Sequence, residues 1–172
     1  MNYGNIKKND IANGLGVRIS LFVSGCTNKC KGCFQPETWD PAYGEEFTQE
    51  TEEEILAELG KPWYQGITLL GGEPLEPYNQ EGIARLLRRI KKELPAKDVW
   101  LYTGNLFEDM LPGGFRCYSH TQELLSYLDV LVDGRFVEEK KNIRLKFRGS
   151  ENQRVIDVKK SLTEGSVCLL DL

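Results

Sequence analysis

What this sequence lacks is a second histidine, an even number of cysteines, a long apolar run and a basic stripe. Each absence closes a route. With His120 the only imidazole, and Cys117 and Cys168 isolated in sequence, a zinc site built from paired cysteine and histidine spacings has too few ligands. Five cysteines cannot all pair, and Met1-Asn2-Tyr3-Gly4-Asn5 opens no apolar signal core, so a disulfide framework is not expected. No stretch is long and uncharged enough for a membrane helix. The expectation is a cytoplasmic protein with reduced thiols, a state that suits thiolate ligands. Its 22 Lys and Arg against 26 Asp and Glu leave a net charge of -4. Those cations are scattered along the chain, so no phosphate-tracking surface is expected and nucleic acid is not the predicted partner.

What is present fits one domain spanning 1–172, with 40% hydrophobic residues for a core and no room for a second catalytic module. Val17-Arg18-Ile19-Ser20-Leu21-Phe22-Val23 reads as a strand running into Ser24-Gly25-Cys26. Thr51 and Glu54 form a capping-box pattern before Ile55, Leu56 and Leu59, and Gly60 and Pro62 end that helix. The acidic run Glu50, Glu52, Glu53 and Glu54 falls in its first turn, where carboxylates suit the helix dipole, and reads as a solvated face. A second strand, 66–70, empties into Gly71-Gly72-Glu73-Pro74. Ile83, Leu86, Leu87, Ile90 and Leu94 then recur at helical spacing, with a basic opposite face expected in solvent.

Val99-Trp100-Leu101-Tyr102 is a third strand ending at Thr103, 124–128 a short helix, and 129–132 a fourth strand ending at Asp133. A fifth covers 155–158. Strands alternating with helices predict an α/β fold with a parallel sheet, whose ligand lies at the carboxyl ends of the strands. The turns at Cys26, Gly71, Thr103 and Asp133 all fall there. An eight-fold barrel needs about 250 residues, so a partial, TIM-like barrel with an open side is predicted.

The chemistry centres on Cys26, Cys30 and Cys33, a C-x3-C-x2-C triplet with no fourth cysteine close by. A ferredoxin run has a different first spacing and a fourth cysteine followed by proline. Three thiolates on a 4Fe-4S cluster leave one iron open to a substrate.

This triplet, followed by Phe34 and later by Gly71-Gly72-Glu73-Pro74, resembles the signature of the radical S-adenosylmethionine enzymes. The resemblance spans about 13–158. It implies a radical SAM core with two cofactors, a 4Fe-4S cluster on Cys26, Cys30 and Cys33 and S-adenosyl-L-methionine chelating the free iron. Gly71 and Gly72 would let backbone approach the methionine end, Glu73 would bind its ammonium, Phe34 would sit against the adenine, and Gly32 and Cys33 would also bind cofactor. Thr103 and Asp133 are further cofactor-binding candidates. The implied reaction is reductive cleavage to a 5′-deoxyadenosyl radical that abstracts hydrogen, and no side-chain acid, base or nucleophile is required.

Within that family the chain is similar to activating enzymes of glycyl-radical enzymes. The matching stretches are 13–18 with 20–26, Cys33-Phe34 with Thr38-Trp39, 133–136, and Arg148-Gly149-Ser150 with 152–157. They imply as partners the glycyl-radical subunit of an anaerobic (class III) ribonucleoside-triphosphate reductase and a low-potential electron donor. Gln35 and Asn105 depart from the pattern. Activation of another glycyl-radical enzyme of the pyruvate formate-lyase type, a small radical enzyme acting on a pterin-like molecule, and a non-catalytic iron-sulfur electron-transfer module are the alternatives. Arg144, Arg148 and Arg154 divide between an ion-paired surface and a docking role. Cys117 and Cys168 read as small buried hydrophobes.

Overall fold

The computed structural model describes residues 1–172. Its strands are β1 (Asn2–Asp10), β2 (Arg18–Val23), β3 (Glu45–Glu46), β4 (Gly66–Gly71), β5 (Asp98–Tyr102), β6 (Val130–Asp133) and β7 (Arg154–Asp157). Four helices accompany them: α1 (Gln49–Leu59), α2 (Pro77–Glu93), α3 (Thr121–Tyr127) and α4 (Val158–Glu164). All strands join one mixed sheet in the order β3-β1-β2-β4-β5-β6-β7. The middle is parallel, β2 to β4 to β5 to β6, and each crossover between these strands carries a helix. Both margins are antiparallel. No helix is long and apolar enough to cross a membrane.

Side-chain alternation sorts the sheet into two faces. Ile19, Leu21, Val23, Ile67, Leu69, Val99, Leu101, Leu131 and Ile156 pack with apolar residues of all four helices in the main core. On the other face Trp100, Val130, Val132 and Val155 form a smaller cluster with Tyr102, Phe147 and Leu170. Phe147 comes from the long 134–153 connection between β6 and β7, so a strap rather than a helix covers that side.

Three expectations need correction. The β7 strand is antiparallel to β6, because a non-helical connection lets the chain turn back beside the strand it has just left. β1 and β3 were not expected: Asn2-Tyr3-Gly4-Asn5-Ile6-Lys7-Lys8-Asn9-Asp10 is mostly polar and half exposed, so it lacks strand periodicity. The cap of α1 is Thr48, whose hydroxyl accepts the Thr51 N–H at 3.2 Å, so Thr51 lies inside the helix.

The charged helix faces are also less solvated than expected. Glu52 is buried and receives Arg85 at 2.9 Å and Arg89 at 3.2 Å. Arg89 also pairs with Glu53 and Glu93, and Arg88 with Glu123. The acidic first turn of α1 and the basic face of α2 thus meet across the helix layer.

Arg18 is fully buried at the opposite end of the strands from the motif turns. Its guanidinium donates to Thr68 Oγ1 at 2.7 Å, to the carbonyls of Leu15 and Ile67 at 2.9 Å each, and to Asp98 at 2.5 Å, and it lies over the Trp100 ring. This network ties β2, β4 and β5 together where the apolar layers end. Arg18→Met is therefore expected to lower unfolding free energy by about 3 kcal/mol, because it strands buried acceptors and one partner of an ion pair. Denaturant titration with the circular dichroism of the helices as readout checks the value; a loss below about 1 kcal/mol would contradict a structural role for the network.

Candidate active site

Pairing between β2 and β4 continues past the strand ends. After Val23 opposite Gly71, the Gly72 N–H donates to Val23 O and the Glu73 N–H to Gly25 O, both at 2.7 Å. From the other side, Gly25 N–H donates to Thr38 O at 2.7 Å and Cys26 N–H to Trp39 O at 3.2 Å. The entry to the cysteine loop is clamped between the Gly-Gly turn and the short 3-10 turn Pro36–Trp39. This close approach excludes side chains. Gly71 adopts φ +108°, and a Cβ on Gly72 would lie 2.5 Å from Gly25 O.

Above this clamp a cavity of about 500 Å³ opens at the carboxyl ends of the strands, within the size range of small-molecule sites. Of the residues predicted from sequence, Cys26, Cys30, Cys33, Phe34, Gly71, Gly72, Glu73 and Thr103 line it, and Gly32 and Asp133 do not. No three Cys, His, Asp or Glu side chains converge as ligands of a single ion. A 4Fe-4S cluster distributes its cysteines over different irons, so three thiols around one cavity fit it where they would not fit one zinc. Burial pushes the thiols of Cys26 and Cys30 upward, and at Cys26 the negative charges of Glu73 and Glu76 add to the effect. Thiolate ligation there must displace protons.

Glu73 is the most enclosed ionisable group of the site. Its Oε1 accepts the Leu75 N–H at 3.0 Å and the Thr103 hydroxyl at 2.8 Å; its Oε2 accepts the Gly104 N–H at 2.7 Å and the Asn28 amide at 3.1 Å. Burial pushes its pKa up, and the donated bonds oppose that rise. The four donors fill its acceptor positions. One of them, Asn28, belongs to the cysteine loop, so Glu73 links that loop to the end of β5. Thr103 takes part through this bond.

Asp133 faces inward beneath the cavity wall. Its carboxylate accepts the Phe107 N–H at 2.9 Å and the Arg154 guanidinium at 2.5 and 3.0 Å, and Arg154 continues to Glu108 at 2.7 Å. The neighbouring Gly134 lines the cavity instead. Phe34 is 68% exposed and leans on Phe136, ring centroids 5.2 Å apart, with the Lys141 ammonium over its ring. It is a rim residue and takes no part in the core.

The strap supplies the rest of the wall. Phe147 takes a left-handed backbone, φ +59°, and sets its ring edge-on to Trp100 at 5.3 Å. Arg148 donates to Gln153 O at 2.5 Å and Glu151 O at 3.1 Å, so it braces the strap from within, whereas Arg144 stands exposed. Arg135, Lys140, Lys141, Arg144 and Lys146 are all exposed and lack carboxylate partners, so the cations that look scattered in sequence are uneven in space. Cys117 and Cys168 lie outside this cavity and are only half-buried, near Gln122 and Glu164 respectively, which corrects their reading as buried hydrophobes.

Residues the sequence reading missed include Asn28, Tyr102, Phe136 and Gln153, all on the cavity wall. Asn28 and Tyr102 were findable, lying inside the triplet and one residue before Thr103. Phe136 and Gln153 lie in the matching stretches 133–136 and 152–157, but nothing local in them points to a cavity wall. Ala12 and Asn13 reach the wall because Asp10 holds them, accepting the Ala12 N–H at 2.9 Å, the Asn13 amide at 2.6 Å and the Ser20 hydroxyl at 2.6 Å.

Residues 12–156 match a family model described as a 4Fe-4S single cluster domain. That defines the class, proteins built around one iron-sulfur cluster. The chain is 43% identical over 157 residues to the anaerobic ribonucleoside-triphosphate reductase-activating protein of Enterobacteria phage T4, an alignment covering 90% of this chain and 93% of that one. The protein of the same description from Vibrio cholerae is 41% identical over 155 residues, 89% of this chain and 96% of its own. The Escherichia coli K12 protein is 40% identical over 157 residues, 90% and 97% respectively. The chain belongs to the family of anaerobic ribonucleoside-triphosphate reductase-activating proteins.

Two outcomes follow. Gly72→Ala is expected to cost about 1–3 kcal/mol in denaturant unfolding, because the added methyl pushes Gly25 off the clamp; a neutral result would show that the clamp yields freely. Although burial opposes it, hydrogen bonds from Ser20, Ala12 and Asn13 and the Lys7 contact lower the Asp10 pKa to about 2. The unfolded value is about 3.9, so this stabilisation is complete above about pH 4 and lost as pH falls toward 2. Asp10→Asn should flatten that acid limb of the stability profile, measured by unfolding at stepped pH.

Proposed function

We propose that this chain is a radical S-adenosylmethionine activase that generates a glycyl radical on an anaerobic ribonucleoside-triphosphate reductase. The observation that carries the reading is the meeting of three cysteines with Gly71-Gly72-Glu73 on one cavity, in a chain 43% identical to a protein named as activating that reductase. In this reading Cys26, Cys30 and Cys33 would hold a 4Fe-4S cluster, and Gly71, Gly72 and Glu73 would hold S-adenosyl-L-methionine. When bound, the two supply one-electron cleavage of the sulfonium and removal of a hydrogen atom from a glycine of the reductase.

The chain's own residues bind, orient and exclude. Gly71 and Gly72 present bare backbone to the methionine end. A ligand ammonium reaches Glu73 by displacing Asn28, the longest of its four bonds. Phe34 serves the adenine side, Thr103 fixes Glu73, and Asp133 acts one step away by setting Gly134 at the wall. A partial barrel is the reading of the sheet here, supported by helices on one face and the strap over the other. Its mouth admits a glycine-bearing segment of the partner. A low-potential donor supplies the electron, in a reducing cytoplasm with little oxygen.

The test is anaerobic. The chain is reconstituted with iron and sulfide, reduced with dithionite and given S-adenosylmethionine, and 5′-deoxyadenosine is assayed with and without the reductase while electron paramagnetic resonance follows the glycyl signal. Cleavage with a radical on the reductase is expected. Cleavage without that radical would remove the partner, and no cleavage by an intact, reducible cluster would favour an electron-transfer protein. Ser at Cys26, Cys30 or Cys33 should abolish cluster iron, while Cys117→Ser and Cys168→Ser should retain it; iron loss in Cys117→Ser would sink the three-cysteine assignment.

A further inference from the structure

Glu76 begins α2 without serving it. As N-cap residue it makes no side-chain capping bond, and Pro77 behind it has no N–H to satisfy. One carboxylate oxygen instead accepts both the Thr27 N–H at 2.8 Å and the Thr27 hydroxyl at 2.6 Å. Thr27 follows Cys26 and starts the turn that brings the chain to Cys30. The bond pair therefore holds the cysteine loop at Thr27, as Glu73 holds it at Asn28.

Two observations make this more than a loop fastening. Glu76 is 5% exposed and no Lys or Arg pairs with it, so its charge is neither screened by solvent nor neutralised by a partner. Its negative field also reaches neighbouring groups. The Tyr78 phenol is pushed up to about 12, by burial first and by Glu76 next. Charge at that point is sustained locally, because the N-terminal end of the 17-residue α2 favours an anion.

We infer that Glu76 is a positioning residue for the cysteine loop whose charge also lowers the reduction potential of the group that loop holds. This rests on the reading that Cys26, Cys30 and Cys33 carry a 4Fe-4S cluster. Reduction by an external one-electron donor adds one negative charge to the cluster, and net charge and hydrogen bonding around a cluster set its potential. A carboxylate fixed to Thr27, the neighbour of Cys26, disfavours that added charge. Glu76 thus makes the reduced cluster a stronger one-electron reductant. The two bonds to Thr27 keep the carboxylate and the cluster at one separation.

The test uses the full chain, reconstituted anaerobically, with iron content and a redox titration followed by electron paramagnetic resonance. Glu76→Gln keeps the shape and an acceptor oxygen but removes the charge. Its cluster should titrate at a more positive potential with iron content unchanged. Thr27→Val removes the hydroxyl bond and leaves the charge, so its midpoint should stay at the wild-type value while a chelator strips its iron faster. An unmoved midpoint in Glu76→Gln overturns the inference, as does an equal positive shift in Thr27→Val, which would assign the effect to loop geometry. Should Glu76→Gln fail to retain iron, Glu76→Asp carries the test: retained iron with a midpoint at or near wild type supports the inference, and a positive shift overturns it. Failure of the wild-type chain to take up a cluster would instead defeat the underlying cluster assignment.

Discussion

The structure depends on one continuous hydrogen-bond ladder, that between β2 and β4, which carries on through Gly72 and Glu73 into the entry of the cysteine loop. A parallel ladder fixes register to within one residue, since any slip would turn Ile19, Leu21 and Val23 away from the helices. Apolar burial thereby determines where Cys26 starts and where the Gly-Gly turn stands against it. The positions of the site are set by the core beneath them, and the freedom lost at Gly71 and Gly72 is a direct result of that closeness.

Around this ladder, charge is arranged in two tiers. Below the apolar layer, Arg18 and Asp10 are buried and answered by several fixed partners, which ties β1, β2, β4 and β5 into a rigid base. Above it, Glu73 and Glu76 are buried acids held mainly by neutral donors, backbone N–H groups among them. No cation cancels the acids of the upper tier. Their charge falls on Cys26, whereas Cys30 also feels the Arg135 guanidinium from the strap.

How much of this was legible in the sequence follows from how local each feature is. The triplet, the Gly-Gly turn and the parallel strands are contiguous, and apolar periodicity with motif spacing was enough to place them on one rim. Cys26, Cys30, Cys33, Gly71, Gly72, Glu73 and Thr103 accordingly line one cavity. β1, between β2 and the two-residue edge strand β3, was invisible because half of it faces water, and Glu52 looked solvated because its partners Arg85 and Arg89 lie on another helix. The saturation of Glu73, the inward turn of Asp133 and the strap's part in the wall all depend on partners far away in sequence, which no window of residues contains.

The strap itself is tied at its root. Gln153 donates to Gly134 O at 2.9 Å, Asn152 to Arg135 O at 2.8 Å, and beneath them Arg154 joins Asp133. A loop whose two ends are fastened to each other behaves as a clasp: its interior, packed on Trp100 through Phe147, keeps one spacing from the strands that launch it. Phe136, Phe147 and Arg148 line the cavity from this loop, so the fastening at its root holds a whole wall in place across from the cysteine loop.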